Sequence, residues 1–156
     1  MIVYSATKSR FNEDVLTNRI EDIVLESFKA ATGRGVASSE ISSWASSLPY
    51  IDKVLSDNGI PDDSGVAIEY HLPQTSKRVD FILTGFDRES KDTVILIELK
   101  QWTSAKLTSQ DAIVVTQYRH GESQSLHPSY QVWSYKRLLE DYNETVQIEK
   151  INLFPC

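Results

Sequence analysis

The sequence predicts a mixed α/β fold, a β-sheet built around a three-strand meander and flanked by helices. Three observations predict it. Val66–Leu72, Arg78–Gly85 and Thr93–Leu99 are β-rich runs separated only by Pro73-Gln74-Thr75-Ser76 and the charged segment Asp87–Asp92, gaps that suit antiparallel neighbours. Upstream, Val15, Leu16, Ile20, Ile23, Val24 and Phe28 recur with the period of an amphipathic helix. Downstream, Pro128 stands where a helix starts, and Tyr130, Val132, Trp133, Leu138 and Leu139 make a second helical stripe.

Taken in order, the first helical pattern spans residues 11–32 and ends at Gly33-Arg34-Gly35, as helices commonly do at glycine. A second helix begins near Ser38-Ser39-Glu40 with a serine cap and runs to Ser47, and Pro49 opens a further short helical stretch through Val54 and Leu55. Asn58-Gly59 and Pro61-Asp62-Asp63-Ser64-Gly65 are turn chemistry. In the third strand, Val94-Ile95-Leu96-Ile97 is apolar on both faces, which predicts a central strand covered on both sides. Residues 103–127 are polar apart from Ala112–Val115 and read as a long loop with at most a short strand, a length that is usually functional or mobile. The downstream helix runs to Asn143, and Val146–Phe154 reads as the last strand. The chain then stops at Phe154-Pro155-Cys156 without a polar tail, as expected of a domain belonging to a longer protein.

At 156 residues, 40% hydrophobic and 24% charged, the chain has the size and composition of one globular domain that needs neither disulfides nor a structural metal. No run approaches the ~20 apolar residues of a membrane helix, and the start lacks the basic and apolar regions of a signal peptide. Cys156 is the only cysteine, so no internal disulfide can form and a cytoplasmic location is expected. His71, His120 and His127 have no metal-ligand spacing. The net charge of −6 counts against bulk electrostatic binding of nucleic acid. Its distribution is uneven: residues 1–69 carry −5, residues 70–137 carry +2 and residues 138–156 carry −3.

That positive segment holds the chemistry. In Ile97-Glu98-Leu99-Lys100, strand alternation puts Glu98 and Lys100 on one face and turns Leu99 to the core. Charges at the end of an apolar strand are costly unless paired, coordinated or solvated. In Arg78-Val79-Asp80-Phe81-Ile82-Leu83, a single carboxylate interrupts the preceding strand, so Asp80 and Glu98 can converge with Lys100 beside them. Two carboxylates at a strand end suit a hard cation such as Mg²⁺, which serves phosphoryl chemistry. Lys100 then positions the attacking water or offsets transition-state charge.

Asp80 followed by Glu98-Leu99-Lys100 on the next strand resembles the signature of the PD-(D/E)xK nuclease superfamily, with Val79 where the family usually has proline. Gln131-Val132-Trp133-Ser134-Tyr135 is similar to the Gln-x-x-x-Tyr motif of RecB-like nucleases, and its i, i+4 spacing places Gln131 and Tyr135 on one helical face. Four segments narrow the likeness: Ile68–Pro73, Thr75–Asp80, Ile97–Trp102 and His127–Gln131. They resemble the N-terminal domain of bacterial proteins that continue into a Schlafen-type helicase ATPase domain, and the likeness covers nearly the whole chain.

The resemblance implies a restriction-endonuclease-like core that hydrolyses phosphodiester bonds of DNA or RNA. It implies Asp80, Glu98 and the backbone carbonyl of Leu99 as ligands of Mg²⁺ or Mn²⁺, Lys100 as the catalytic lysine, and Gln131 and Tyr135 in support. It also implies a nucleic-acid motor in the same chain, which would make most of the phosphate contacts and so accommodate the acidic charge.

Many members of the superfamily add an acidic residue from the first core helix. Glu21 lies in the apolar arc of helix 11–32 and Glu26 on its polar side; Glu69, on the strand beside that of Asp80, is the rival. Lys77 and Arg78, just before Asp80, are candidate substrate contacts as much as a solvated turn. Trp102 and Trp133 are assigned to the core in preference to a base-stacking role. The other function that survives is a catalytically silent module of this fold that binds nucleic acid or a protein partner within a helicase or defence protein. No glycine-rich phosphate loop or nucleophile elbow supports a small-molecule enzyme.

Overall fold

The chain opens with a strand that the sequence reading does not contain: Ile2–Thr7 (β1) buries Val3 and Tyr4. This computed structural model describes residues 1–118 and 121–156. Thr7 ends the strand and caps the next element, its Oγ1 accepting from the Arg10 N–H (3.3 Å). The expected helix over 11–32 is two helices, Lys8–Leu16 (α1) and Ile20–Thr32 (α2). The break is at Asn18, whose φ of 51° is one of the few left-handed conformations a non-glycine side chain tolerates. Leu16, counted in the stripe, is 78% exposed, because the stripe changes direction there.

Downstream the correction is the reverse. Ser38–Leu55 (α3) is one helix with Pro49 inside it. Trp44, Leu48, Ile51 and Leu55 are all buried at helical spacing across the proline, and that continuous stripe outweighs the missing hydrogen bond at Pro49.

Gly65–His71 (β2), Arg78–Phe86 (β3) and Asp92–Ile97 (β4) form the expected antiparallel meander, in register at Ile68↔Phe81 and Phe81↔Ile97. The polar stretch read as a loop is instead three short strands, Ala105–Leu107 (β5), Ile113–Tyr118 (β6) and Gly121–Leu126 (β7), which pair antiparallel as a separate sheet. Their apolar residues are bunched at Ile113-Val114-Val115 and β5 is wholly exposed, so no apolar alternation marks them. They are held by their own ladder, with Val114 and Thr116 buried beneath it.

Pro128–Tyr142 (α4) runs as expected. The segment read as a final strand begins instead as a short helix, Glu144–Ile148 (α5), capped by Asn143 Oδ1 accepting from the Val146 N–H. The strand proper is Asn152–Pro155 (β8), and Lys150 (φ 52°) makes the turn between them.

The main sheet is mixed, with order β1-β2-β3-β4-β8 and β8 parallel to β4. β4 is therefore interior, while β3 holds the centre. The helices α1 to α3 cover one face over Phe11, Trp44, Leu48 and Phe81. On the other, α4 packs Val132, Tyr135 and Leu139 onto Val79, Leu96 and Leu153. Among the described residues no helix is long and apolar enough to cross a membrane.

Candidate active site

A cleft of about 500 Å³ opens between α3 and α4 at the end of the sheet where β2, β3 and β4 present Glu69, Asp80 and Glu98. The register explains the grouping. Ile68↔Phe81 and Tyr70↔Val79 bracket Glu69 opposite Asp80, and Phe81↔Ile97 brings Glu98 alongside, one residue past the end of β4, which stops at Ile97 and not at Leu99 as the sequence predicts. Three carboxylates thus stand in a row across adjacent strands.

The alternation of faces slips at two of them. In β2, Ala67 and Tyr70 pack in the α4 core while Val66 and Ile68 pack in the other; in β3, Val79 and Ile82 belong to the α4 core and Phe81 to the other. Glu69 absorbs the slip with a φ of 59°, a strand conformation costing on the order of 1–3 kcal/mol for a non-glycine residue.

Glu98 is gripped from two sides. Its Oε1 accepts from Lys100 Nζ (2.6 Å) and from Gln131 Nε2 (2.6 Å), and its side chain is only 3% exposed. Gln131 is fully committed: its Oε1 accepts from Lys100 Nζ (3.1 Å), and Nε2 also donates to the Tyr135 hydroxyl (2.7 Å). One turn of α4 separates Gln131 from Tyr135, so the helix holds amide and phenol as one unit. Asp80 Oδ2 accepts from the Leu99 N–H (2.9 Å), which ties β3 to the end of β4. The other carboxylate oxygen of Glu98 is buried without a hydrogen-bond partner.

Glu69 is held differently. Trp44 Nε1 donates to its Oε1 (2.8 Å), and Arg78 Nε lies 2.5 Å from its Oε2 as an ion pair without hydrogen-bond geometry. Arg78 also pairs with Glu40 at the start of α3. This guanidinium, shared between two carboxylates, pins α3 to the sheet.

Burial pushes all three carboxyl groups up. Glu69 rises to about 7 because desolvation outweighs the Arg78 and Trp44 contacts. Asp80 and Glu98 are also raised, chiefly by burial, and Glu98 further by the Asp80 charge beside it. A carboxyl whose folded pKa lies above its unfolded value binds more protons when folded, so stability falls as pH rises between the two. In chelator, the melting temperature is therefore expected to fall from pH 5 to pH 8. His71, lowered by burial, works in the opposite sense, one group against three. Glu69→Gln should flatten the slope while keeping an acceptor for Trp44; a melting temperature that rises steadily over that range would contradict the assignment.

The sequence-predicted residues are brought together unequally. Asp80, Glu98, Leu99, Lys100, Gln131, Tyr135, Lys77, Arg78 and Glu69 all line the cleft. Glu21 and Glu26 do not, because α2 packs on β1 and α3, a layer away. Glu69 reaches the cleft, but Trp44 and Arg78 already occupy it. Arg78 is an internal clamp, whereas Lys77 is in no ion pair among the described residues and stands 5.9 Å from the Tyr135 ring centre.

Glu40, Trp44 and His71 line the cleft although the sequence does not single them out. Glu40 passed for helix-cap chemistry, and His71, whose Nε2 is buried without a partner, was set aside for want of a ligand spacing. The strand register that puts His71 opposite Arg78 was the available signal. Trp133 is not core: it is 48% exposed.

Among the described residues no group of three or more His, Cys, Asp or Glu side chains is arranged to hold a metal ion. The donors present are two carboxylates, one with a buried, unpartnered oxygen. Such a set fits a hard cation that takes one or two carboxylates and keeps several waters, and it lacks the nitrogen and sulfur ligands of a zinc site. No family model, curated protein or solved structure matches the chain.

Proposed function

We propose that this chain is a metal-dependent nuclease domain of the PD-(D/E)xK type, hydrolysing phosphodiester bonds of DNA or RNA and working with a helicase-type ATPase domain in the same protein. One observation carries the reading. Glu98 presents a buried carboxylate oxygen with no partner beside Asp80, in the same cleft as a lysine held 2.6 Å from its other oxygen. Burial raises both carboxyl groups, and the Asp80 charge raises Glu98 further despite the Lys100 contact. Such an arrangement is more expected of a ligand site than of a structural ion pair.

In this role Asp80, Glu98 and the Leu99 carbonyl would hold one Mg²⁺ or Mn²⁺, which would supply Lewis-acid polarisation of a phosphoryl oxygen and activation of water. Gln131 fixes the Glu98 carboxylate, and Tyr135 fixes Gln131. Lys100 Nζ has one hydrogen free after Glu98 and Gln131, and donates it to the attacking water or to a phosphate oxygen. Lys77, at the mouth, binds a neighbouring phosphate. Arg78 binds no substrate; it holds the α3 wall.

A second reading, a silent module that binds without cutting, draws on the absence of a three-residue ligand group among the described residues and on the net charge of −6. Incubation of the chain with labelled single- and double-stranded DNA and RNA, with Mn²⁺ or with chelator, decides. Cleavage with Mn²⁺ that stops in chelator is expected. Binding without cleavage supports the second reading, and cleavage undiminished by chelator overturns the metal site.

A further inference from the structure

Lys100 stands on a stretch of chain that the sheet does not hold. β4 ends at Ile97, and residues 98–101 belong to no strand or helix. Two backbone contacts reach this stretch: the Glu98 N–H donates to the Cys156 carbonyl (3.2 Å) and the Leu99 N–H to Asp80 Oδ2 (2.9 Å). The alternation of an extended chain continues all the same. Glu98 and Lys100 turn to Gln131 on α4, while Leu99 packs into the core under α1 to α3 and Gln101 reaches α3 itself.

Gln101 is seated there on three acceptors. Its Nε2 donates to the Ser43 carbonyl (3.0 Å), to Ser43 Oγ (3.2 Å) and to Ser47 Oγ (3.0 Å). The serines of α3 divide into two rows. Ser42 and Ser46 donate their hydroxyls back to the carbonyls of Ser38 and Ser42 (2.9 and 2.7 Å), the usual resort of a serine inside a helix. Ser43 and Ser47, one turn apart on the face that lines the cleft, turn their oxygens to Gln101. Serine is a weaker helix former than alanine. At this spacing the pair supplies a seat for one carboxamide.

We infer that Gln101 is a positioning residue for the reaction: seated on Ser43 and Ser47, it fixes the chain immediately after Lys100 to the α3 wall and so places the Lys100 ammonium at Glu98 and Gln131. Lys100 is thereby held at both ends, its head by Glu98 and Gln131 and its backbone by the neighbouring carboxamide. The inference rests on the nuclease reading for the cleft and goes beyond it in naming what places the lysine.

The test is cleavage with Mn²⁺ of the labelled DNA or RNA that the wild type cuts. Gln101→Ala is expected to lower kcat by about 10- to 100-fold, the scale of an ångström's misplacement, with KM and melting temperature close to wild type. Because Gln101 acts through Lys100, the same substitution should cost nothing further in a Lys100→Ala background. Replacing Ser43 and Ser47 together by alanine leaves only the backbone acceptor, so it should lower kcat in the same way and add nothing to Gln101→Ala. Replacing Ser42 and Ser46 together by alanine is the control and should cleave as wild type. The Cε–Hε magnetic-resonance signal of Lys100, identified by its loss in Lys100→Ala, reports the placement without any cleavage. It should move toward the free-lysine position in Gln101→Ala and stay in place in the control.

An unchanged kcat or an unmoved Lys100 signal in Gln101→Ala, a raised KM without a fall in kcat, an undiminished loss in the Lys100→Ala background, or an equal loss in the control each overturns the inference. A wild-type protein that cuts nothing defeats the nuclease reading, and the Lys100 signal then judges the placement by itself.

Discussion

Asp80→Asn and Glu98→Gln are each expected to remove Mn²⁺ binding and reduce cleavage to background while the domain stays folded. In chelator near neutral pH, each should melt at or above the wild-type temperature. The reasoning follows from the contacts. An amide at position 80 keeps an oxygen to accept from the Leu99 N–H and gains an N–H₂ directed at Glu98, replacing repulsion by a hydrogen bond. An amide at position 98 keeps an oxygen for Lys100 and Gln131, and supplies donors where a buried oxygen now has none. The stabilisation should be largest at alkaline pH and shrink as pH falls and the wild-type carboxyl groups, raised by burial, take up protons. Calorimetric titration and melting curves on the same samples check it. Unchanged Mn²⁺ affinity in both variants would sink the assignment of ligands, and a fall in melting temperature at pH 8 would show that the carboxylates are structural.

What the sequence disclosed about this site follows from which signals are local. Asp80 was legible because a charge inside an apolar strand is conspicuous, and Glu98 and Lys100 because they follow directly on an apolar strand, although that strand ends at Ile97, short of both. Gln131 and Tyr135 were legible because i, i+4 on a helix is a contact by geometry alone. The meander was legible because its gaps are short. Glu40 and His71 were not, since each reaches the cleft only through the register of other elements. For Glu40 that is the docking of α3; for His71 it is the β2–β3 ladder.

The same distinction explains the helices. Asn18 breaks α1 from α2 within an otherwise continuous apolar pattern, and Pro49 fails to break α3 because a buried stripe carries the helix across it. In both places tertiary burial overruled the local residue. The β5-β6-β7 sheet carries almost no apolar alternation, so nothing short of the ladder itself reports it.

Lys100→Ala separates chemistry from scaffold. If Lys100 stabilises transition-state charge, cleavage should fall by about 10²–10³-fold, the loss seen when one preorganised donor is removed. Mn²⁺ affinity should hold or rise, because the ammonium bonded to Glu98 competes with a cation for that carboxylate. If Lys100 only balances Glu98, its removal leaves a buried charge unpaired, a loss of about 3–5 kcal/mol. The structure limits that second effect. Glu98 keeps the Gln131 Nε2 donor, and its raised pKa lets it take up a proton instead of remaining charged. Any destabilisation should therefore grow with pH and diminish as pH falls, whereas a lost transition-state contact reduces cleavage at every pH where the protein is folded. Single-turnover cleavage, Mn²⁺ affinity and melting temperature, each followed from pH 6 to pH 8, resolve the two. A Lys100→Ala protein that is well folded, binds Mn²⁺ and cleaves at the wild-type rate would refute the catalytic role. A cleavage loss that follows the melting temperature would reduce Lys100 to an ion-pair partner of Glu98.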